Sequence, residues 1–328
     1  SLLMLAISIW IRLQLSESPV FQAMKAAGTT AKNPIAESFR DRANIGNILV
    51  ALFGVAAGLT VVYYTSQFGT LYFLEGTARV PETQALLYMA AGACLAAPFY
   101  VFFGWLSDRV GRRRLLIVGY VLTLALTFPL FHLMADGANP ALAEATRTSP
   151  VTIQLPPCDY NVFVKQDTEC GKALEYLTKR GVSYRKADSA ALGLTVGAEQ
   201  LEGFDKDAWT AALVRAGYPD SADPARMTHW MVILAVAAMV ALSAMTYGQV
   251  AAIMVELFPA RVRYTSMSIP YHIGTGYFGG FLPVISQYIV VRTGDVFAGL
   301  WYTIAVVAMS LVVTVLFLPE TKDRDITA

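Results

Sequence analysis

The sequence predicts an all-α integral membrane protein with six full transmembrane helices, one partial transmembrane helix and one extracytoplasmic insertion. Apolar residues make up 55% of the 328 residues and charged residues only 15%, whereas soluble domains average about 25% charged residues. Six stretches of 21 to 31 residues contain no acidic residue, lysine or arginine. Because a helix needs roughly 20 residues to cross the hydrocarbon core of a bilayer, each stretch is long enough for one crossing.

The elements follow in order along the chain. Residues 1–11 are apolar but too short to cross a membrane, so residues 1–15 are expected to be the end of a span that begins upstream, in a longer protein. The stretch lacks the basic segment and cleavage site of a signal peptide. Residues 16–43 then form a polar linker and residues 320–328 a polar tail. The six full spans are residues 44–74, 83–107, 115–135, 227–255, 264–291 and 296–319.

Lysine and arginine are distributed unequally between the two sides of these spans. The segments on one side (12–43, 108–114, 256–263 and 320–328) contain 13 of them, and the short loops of the other side contain only Arg79 and Arg292. Positive residues concentrate in cytoplasmic loops. The first side is therefore expected to be cytoplasmic, the C-terminus with it.

Residues 136–226 then lie outside as the one soluble-looking segment, a small helical cap with some extended structure. Residues 170–181 are expected to form a helix that ends at Gly181, and residues 207–217 a helix capped by Asp207 and ended by Gly217. Cys158 and Cys170 lie in this segment, where an oxidising compartment would permit a disulfide; two unpaired thiols are the alternative. Cys94, inside a span, is expected to be a packing residue.

Composition and motifs exclude several classes of function. A net charge of +1 gives no electrostatic footprint for nucleic acid. Three cysteines are too few for a four-cysteine zinc site. The chain has no phosphate-binding P-loop and therefore no such ATP-hydrolysing site to drive a pump. Neither a hydrolase nor a redox motif is present, and we expect no metal site, no cofactor and no enzymatic activity.

The most specific motif lies in the turn between the second and third full spans, residues 104–114, with the sequence GWLSDRVGRRR. Gly104 would let a neighbouring helix approach closely, and Gly111 would permit a tight turn. Asp108 could cap the helix that begins near Arg112. A simple basic anchor at the membrane surface is the alternative for the arginines.

This pattern resembles the loop signature of the major facilitator superfamily. Three further stretches resemble its metabolite:H⁺ symporter family: ESPVF at 17–21, ELFPARVRYTSMSIPYHIGTGYFGGFLP at 256–283 and PETKDRDI at 319–326. Sugar porters share the Glu-Ser-Pro and Pro-Glu-Thr-Lys elements, but the YHIGTGYFGGFLP run fits the symporters better. The resemblance covers nearly the whole chain.

The resemblance implies that the chain is the C-terminal half of a major facilitator fold, from the end of helix six to helix twelve. Residues 1–15 would end helix six, residues 16–43 would link the halves in the cytoplasm, and helices seven to nine would lie in 44–135. Residues 136–226 would be a periplasmic insertion, residues 227–319 would hold helices ten to twelve, and residues 320–328 would be a cytoplasmic tail. The transporter would be a monomer in the bacterial inner membrane, its partners the lipid bilayer, the N-terminal half, a small metabolite and protons. Transport would proceed by alternating access.

Two groups of polar residues are the candidate sites. The cytoplasmic gate would contain Gly104, Asp108, Arg109, Gly111, Arg112, Arg113, Glu256, Arg261 and Arg263, with solvated loop charges as the alternative. The substrate cavity would draw on Tyr64, Gln67, Tyr247, Gln249, Tyr271 and His272, since polar residues inside a membrane tend to face a cavity or a partner helix.

Alternatives remain for several of these cavity residues. Tyr64 and Gln67 share one helix face, but an interfacial aromatic belt or helix–helix hydrogen bonds would also explain them. Tyr247 and Gln249 are two residues apart and cannot both face one way. His272 could titrate near neutral pH, yet a structural histidine is favoured because it lies eight residues from the end of its span.

The function predicted from these residues and the resemblance is proton-coupled symport of a small organic acid or zwitterion. A proton-independent facilitator or sugar porter is the first alternative. A membrane-anchored sensor with residues 136–226 as its binding module is the second, although the inside loops offer no output domain. Since the six spans carry no acidic residue, the main coupling carboxylate or substrate-binding arginine is expected in the other half of the transporter.

Overall fold

The computed structural model describes residues 2–14, 19–158, 160–161, 163–324 and 326. Glu17 and Ser18 of the Glu-Ser-Pro element lie outside these residues. The helices before the external segment are α1 (Leu2–Gln14), α2 (Pro19–Ala26), α3 (Pro34–Arg40), α4 (Arg42–Thr77), α5 (Glu82–Val110) and α6 (Arg112–Ala138). The helices after it are α10 (His229–Tyr247), α11 (Val250–Leu257), α12 (Arg263–Ile273), α13 (Leu282–Thr293) and α14 (Leu300–Phe317).

Within the described part of the chain, five helices are long and apolar enough to cross a membrane. They are Arg42–Thr77, Glu82–Val110, Arg112–Ala138, His229–Leu257 and Leu300–Phe317. Each contains most of one charge-free stretch, so the absence of charge marks these helices in the sequence.

The fifth charge-free stretch, 264–291, is not one continuous helix. Helix α12 runs on through a wide turn at Gly274–Gly279 and is interrupted at Gly280 and Phe281 before α13 begins. Pro283 lies in the first turn of α13. It has no N–H and its ring would clash with the carbonyl of residue 279 in a continuous helix. The predicted span 264–291 is therefore interrupted, and its glycines and proline explain the interruption.

Helix α4 also departs from regular geometry, with π turns at Ala51–Ala56, Thr65–Gly69 and Phe73–Thr77. A π turn misaligns the local hydrogen-bond ladder, and side chains bind the carbonyl at its first site. Gly54 O accepts from Tyr120 Oη at 2.9 Å and from Thr314 Oγ1 at 2.8 Å. These bonds fix α4 against α6 and α14.

Small residues set the closest approaches between the helices. A Cβ on Gly92 would lie 2.5 Å from Val236, and one on Gly119 would lie 3.0 Å from Thr246. Glycine is therefore required where α10 packs against α5 and close to optimal where it packs against α6, as expected for helices that associate without a hydrophobic driving force. In helix α1, by contrast, the large apolar side chains from Met4 to Leu13 are exposed, Leu13 by 80%.

The segment between α6 and α10 is a separate α/β domain rather than the helical cap that the sequence suggests. Its elements are α7 (Pro140–Thr148), β1 (Val151–Leu155), α8 (Glu169–Lys179), β2 (Tyr184–Asp188), β3 (Gly193–Val196), β4 (Glu199–Glu202), α9 (Lys206–Arg215) and a 3₁₀ turn at Pro224–Arg226. The strand order is β2-β1-β3-β4, with β1 parallel to β2 and the other pairs antiparallel.

This domain has its own hydrophobic core, in which Ile153, Leu177, Leu194 and Trp209 are fully buried. Helix α8 occupies most of the predicted helix 170–181, and Gly181 after it has the left-handed φ of 65°. Helix α9 is capped by Asp205 and not, as predicted, by Asp207. The Asp205 carboxylate accepts from the N–H groups of residues 207 and 208, at 2.9 and 3.0 Å.

The two cysteines of the domain form a disulfide, as the sequence predicts. Cys158 and Cys170 are joined with their Cα atoms 6.5 Å apart, which ties the loop after β1 to the first turn of α8. Cys94 is free and exposed on α5, so its expected packing role is wrong.

Replacing Cys170 by Ser should destabilise the domain by about 3 kcal/mol, because the disulfide closes a loop of about 13 residues. Hydrogen exchange of β1 and α8 peptides in the intact protein should rise, while exchange in α5 and α6 stays unchanged. Cys94→Ser is the matched control. Equal exchange in both variants would contradict the stabilising role.

Candidate functional site

A sharp turn joins α5 to α6 at Gly111. Its φ of 105° and ψ of 142° lie in a region that residues with a side chain rarely adopt. A Cβ there would also lie 2.5 Å from the carboxylate of Glu320. Glycine is thus required at this position by the backbone and by the contact, and the turn brings Ser107 and Asp108 close to the start of α6.

Arg112 is the centre of a charged cluster at this end of the helices. Its Nη1 lies 2.7 Å from Asp108 Oδ1 and 2.8 Å from Ser107 Oγ, and its Nε lies 2.7 Å from Glu256 Oε2. The side chains of Arg112 and Glu256 are only 11% and 10% exposed, whereas that of Asp108 is 61% exposed. Glu256 is therefore the buried partner of the guanidinium and Asp108 the solvated one.

Glu320, beyond the end of α14, completes the cluster. Its Oε1 accepts from the backbone N–H of Arg112 at 2.8 Å, and the hydroxyl of Thr321 donates to Glu256 at 2.7 Å. The expectation that Asp108 caps the helix at Arg112 is wrong: Gly111 is the capping residue, without a side chain, and Glu320 supplies the missing acceptor. Sequence reasoning overlooked Ser107, Glu320 and Thr321 as site residues, although the Pro-Glu-Thr-Lys resemblance contained two of them.

The remaining arginines of the predicted gate bind elsewhere. Arg109 stacks on Trp105, with its guanidinium carbon 4.0 Å from the ring centroid, and Arg113 donates to the carbonyls of Thr314 and Val315. Arg261 pairs with Glu37 of α3 at 2.9 Å, and Arg263 donates to the carbonyl oxygens of Phe258 and Ile326. The expected network of Glu256 with Arg261 and Arg263 is therefore replaced by the pair with Arg112.

Gly104 lies where α5 meets the break between α10 and α11. A Cβ on it would lie 3.3 Å from the carbonyl oxygen of Gly248, and one on Gly248 would lie 2.9 Å from that of Tyr100. Helix α5 and the break between α10 and α11 are thus in backbone contact around Gly104 and Gly248.

Three tyrosines from different helices meet in the middle of the bundle. The hydroxyls of Tyr247 and Tyr271 are hydrogen-bonded to each other, and the ring of Tyr63 lies 5.5 Å from that of Tyr247. Tyr64 packs on the wide turn that continues α12, Gly274–Gly279, where a Cβ on Gly279 would lie 2.8 Å from the Tyr64 ring. Tyr64 also meets the ring of Tyr63, edge to face at a centroid distance of 6.0 Å, so it lies beside the other three tyrosines. Gln67 is half-buried on the same helix.

Gln249 interrupts the helix between α10 and α11. It is only 1% exposed, and among the described residues neither its side-chain amide nitrogen nor its amide oxygen has a hydrogen-bond partner. Leaving such a group unsatisfied costs about 1–3 kcal/mol. It lies two residues from Tyr247, which points towards Tyr271, so the two side chains point different ways.

His272 is exposed in this chain, and its ring contacts that of Tyr271 at a centroid distance of 5.7 Å. No hydrogen bond to the His272 ring occurs among the described residues. The favoured interpretation, a satisfied structural histidine, therefore finds no hydrogen-bond partner among the described residues.

The two carboxylates that contact the Arg112 guanidinium, Asp108 and Glu256, differ in burial. Their substitution is therefore expected to destabilise the protein to different extents. Glu256→Gln should lower the free energy of unfolding by about 3–5 kcal/mol, because it leaves a buried guanidinium without its main counter-charge. Asp108→Asn should cost about 1 kcal/mol or less, because this partner is solvated. Thermal unfolding of the purified variants in one detergent measures both. Equal losses would show that burial does not set the strength of these contacts.

Comparisons with known proteins agree with a membrane transporter. The Major Facilitator Superfamily model matches residues 1–145, and the Sugar (and other) transporter model matches residues 210–328. The residues between these matches, 146–209, all lie in the external domain.

A protein of Escherichia coli (strain K12) named "Putative transporter YdfJ" is 28% identical over 137 residues, which are 42% of this chain and 31% of that protein. The match therefore spans less than a third of the relative's length. No solved structure matches the chain. The chain is thus similar to two transporter families over two separate stretches and to a putative transporter over 137 residues.

Proposed function

We propose that this chain forms the C-terminal half of a secondary active transporter that couples uptake of a small organic acid or zwitterion to protons. The observation that carries the proposal is the cluster formed by the buried pair of Arg112 and Glu256 with the exposed Glu320, which holds α6, α11 and the segment after α14 together at one end of the bundle. Such a cluster is suited to closing that end during alternating access.

The cluster offers two discrete arrangements. In the closed one, Arg112 and Glu256 compensate each other out of water. When the bundle opens at this end, water reaches both groups and replaces the lost contact, so the desolvation cost of separating them falls. The exposed carboxylate of Asp108 gives the guanidinium a partner that stays near water.

The tyrosine cluster supports a cavity that binds substrate through neutral donors. Tyr63, Tyr247 and Tyr271 come from three different helices and meet away from the charged end. Phenol hydroxyls donate to a carboxylate without the desolvation cost of a buried cation. Because the charge-free stretches supply no formal charge, we assign the charged substrate contact and the main proton-coupling carboxylate to the other half.

Loop charges set the proposed orientation. With 13 basic residues on the cluster side and two in the short loops of the other side, the cluster and the C-terminal tail face the cytoplasm and the α/β domain faces the periplasm of a bacterial inner membrane.

A facilitator of sugars or other metabolites, without proton coupling, is the second candidate. The match of residues 210–328 to the Sugar (and other) transporter model and the uncharged tyrosine cluster favour it.

Uptake by the complete transporter in energised vesicles distinguishes the two. A labelled panel of 2-oxoglutarate, citrate, shikimate, proline and glucose is offered with and without an imposed proton gradient. Accumulation of one acid or zwitterion that a protonophore abolishes supports the symporter. Equilibration independent of the gradient, or uptake of glucose alone, overturns it in favour of the facilitator.

Asp108→Asn in the complete transporter should lower the uptake rate by up to about fivefold while the protein still reaches the membrane, because the closed arrangement loses a solvated charged contact of Arg112 that contributes about 1 kcal/mol or less. Asp323→Asn, an exposed carboxylate at the same end, is the matched control and should transport normally. Unchanged uptake by Asp108→Asn would count against the gate.

His272→Gln tests where proton coupling resides. If the coupling group lies in the other half, the variant keeps gradient-driven accumulation. Loss of accumulation with downhill transport intact would place the coupling on His272 instead. The measurement is the steady-state accumulation ratio with and without a protonophore.

A further inference from the structure

The external domain contacts the membrane helices at several points, and one of them is a short loop that reaches two helix ends. Residues 179–184 join the end of α8 to the start of β2, and we refer to them as the wedge. Within the described residues, this segment touches the ends of both α4 and α13.

On one side the wedge binds the turn that follows α4. Arg79 Nη1 donates to the carbonyl oxygen of Lys179 at 3.0 Å, and its Nε and Nη2 donate to that of Asp220 at 2.9 and 2.7 Å. The backbone N–H of Ala222 donates to the carbonyl oxygen of Arg79 at 2.9 Å. Gly181 lies so close to Thr77 that a Cβ on it would be 2.1 Å from the Thr77 carbonyl oxygen.

Arg79 has the left-handed φ of 59°, the only such residue other than glycine in the described chain. This conformation is unfavourable for a residue with a side chain, and it persists only where surrounding contacts over-determine it. The three guanidinium bonds and the Ala222 bond are those contacts.

On its other side the wedge binds the end of α13. The backbone N–H of Tyr184 donates to the carbonyl oxygen of Gly294 at 2.8 Å, and its hydroxyl donates to that of Val291 at 3.1 Å. Burial raises the pKa of Tyr184 to about 12, so the hydroxyl keeps its proton and remains a donor. A Cβ on Gly294, whose φ is 78°, would lie 2.2 Å from the Tyr184 carbonyl oxygen.

Two cavities lie on the two sides of this contact. One, of about 280 Å³, lies at the junction of domain and helices and is lined by Gly181 and Ser183 of the wedge. The other, of about 410 Å³, lies between α4, α13 and α14. Phe73, Thr77 and Val296 line both cavities and therefore lie between them, and Gly181 of the wedge packs against Thr77.

From these contacts we propose that the wedge is a control element, by which the external domain holds the domain-side ends of α4 and α13 together and keeps the two cavities apart. The domain-side end of this half opens only when the wedge moves away from Thr77 or Gly294. The role in transport rests on the function proposed above, whereas the mechanical role does not.

The wedge follows a helix, α8, that is firmly fixed within the external domain. Helix α8 ends in the wedge and begins at the disulfide, with Cys170 in its first turn. Its inner face is buried in the core of the domain through Ala173, Leu174 and Leu177. The Arg180 guanidinium, paired with Asp220, adds a further tie beside Arg79.

The test compares two glycines with the same backbone strain. Gly181→Ala and Gly203→Ala both place a side chain at a left-handed φ, 65° and 66°, but a Cβ on Gly203 meets nothing within 4 Å. Only Gly181→Ala pushes the wedge from Thr77. Spin labels at Gly76→Cys, where a Cβ has open space, and at exposed Thr293→Cys report the α4–α13 distance in the complete, Cys94→Ser protein.

Gly181→Ala should lengthen and broaden this distance distribution, and Gly203→Ala should leave it unchanged. Arg79→Ala removes the wedge contact without adding bulk and should broaden the distribution too, with Arg215→Ala, which breaks an ion pair inside the domain, as its control. An intact Cys158–Cys170 disulfide by mass spectrometry and unchanged exchange in the domain core show that the domain remains folded.

Unchanged distances in both Gly181→Ala and Arg79→Ala, with the domain folded, would overturn the proposal. A changed distance in a transporter that moves none of the panel solutes would uphold the wedge and refute the proposed substrate class. Uptake rates altered at least threefold by Gly181→Ala and unaltered by Gly203→Ala would extend the mechanical role to transport.

Discussion

The contact on which the charged end of this bundle depends is the one between Arg112 and Glu256. An arginine nearly out of water requires a carboxylate at hydrogen-bond distance, and Glu256 supplies it from a different helix. Once that pair is fixed, the other contacts are determined around it. Gly111 must be a glycine because Glu320 lies against it, and Thr321 reaches Glu256 because the chain after α14 folds back over the start of α6.

A second constraint acts on the interruptions of the helices. In hydrocarbon, backbone groups freed by an irregular turn must find partners inside the protein. The π turn in α4 satisfies this through Tyr120 and Thr314. At the break around Gly248 and Gln249, the side-chain amide of Gln249 has no hydrogen-bond partner among the described residues. A buried side-chain amide without a partner carries a free-energy cost, which makes this break the most informative position in the bundle.

Much of the helical framework could be predicted, because charge is costly in hydrocarbon and its absence marks each span. The turn at Gly111 and the helix end at Gly181 were also predictable, since local backbone geometry selects glycine there. The sheet of the external domain was not, because β1 pairs with β2 and β3 across long gaps of sequence and because β2 and β4 carry exposed charge.

The site was predicted only in part for a related reason. Residue type and spacing identified Arg112 and Asp108, which are four residues apart. Glu320, however, is 208 residues from Arg112 in sequence, and only the folded chain brings them together. Arg261 and Arg263 were assigned to the cluster because they are close to Glu256 in sequence, yet their helix end directs them to Glu37 and to backbone carbonyls.

The chain enters and leaves the external domain at almost the same point. The backbone N–H of Thr228, just before α10, donates to the carbonyl oxygen of Gly137, in the last turn of α6, at 2.8 Å. A segment whose two ends are hydrogen-bonded neighbours can be gained or lost without moving the helices on either side. The domain is thus an insertion that evolution could add or remove as one unit. Related chains could lack it, with a few linking residues in its place, and still form the same bundle, but they would be without the brace across α4 and α13.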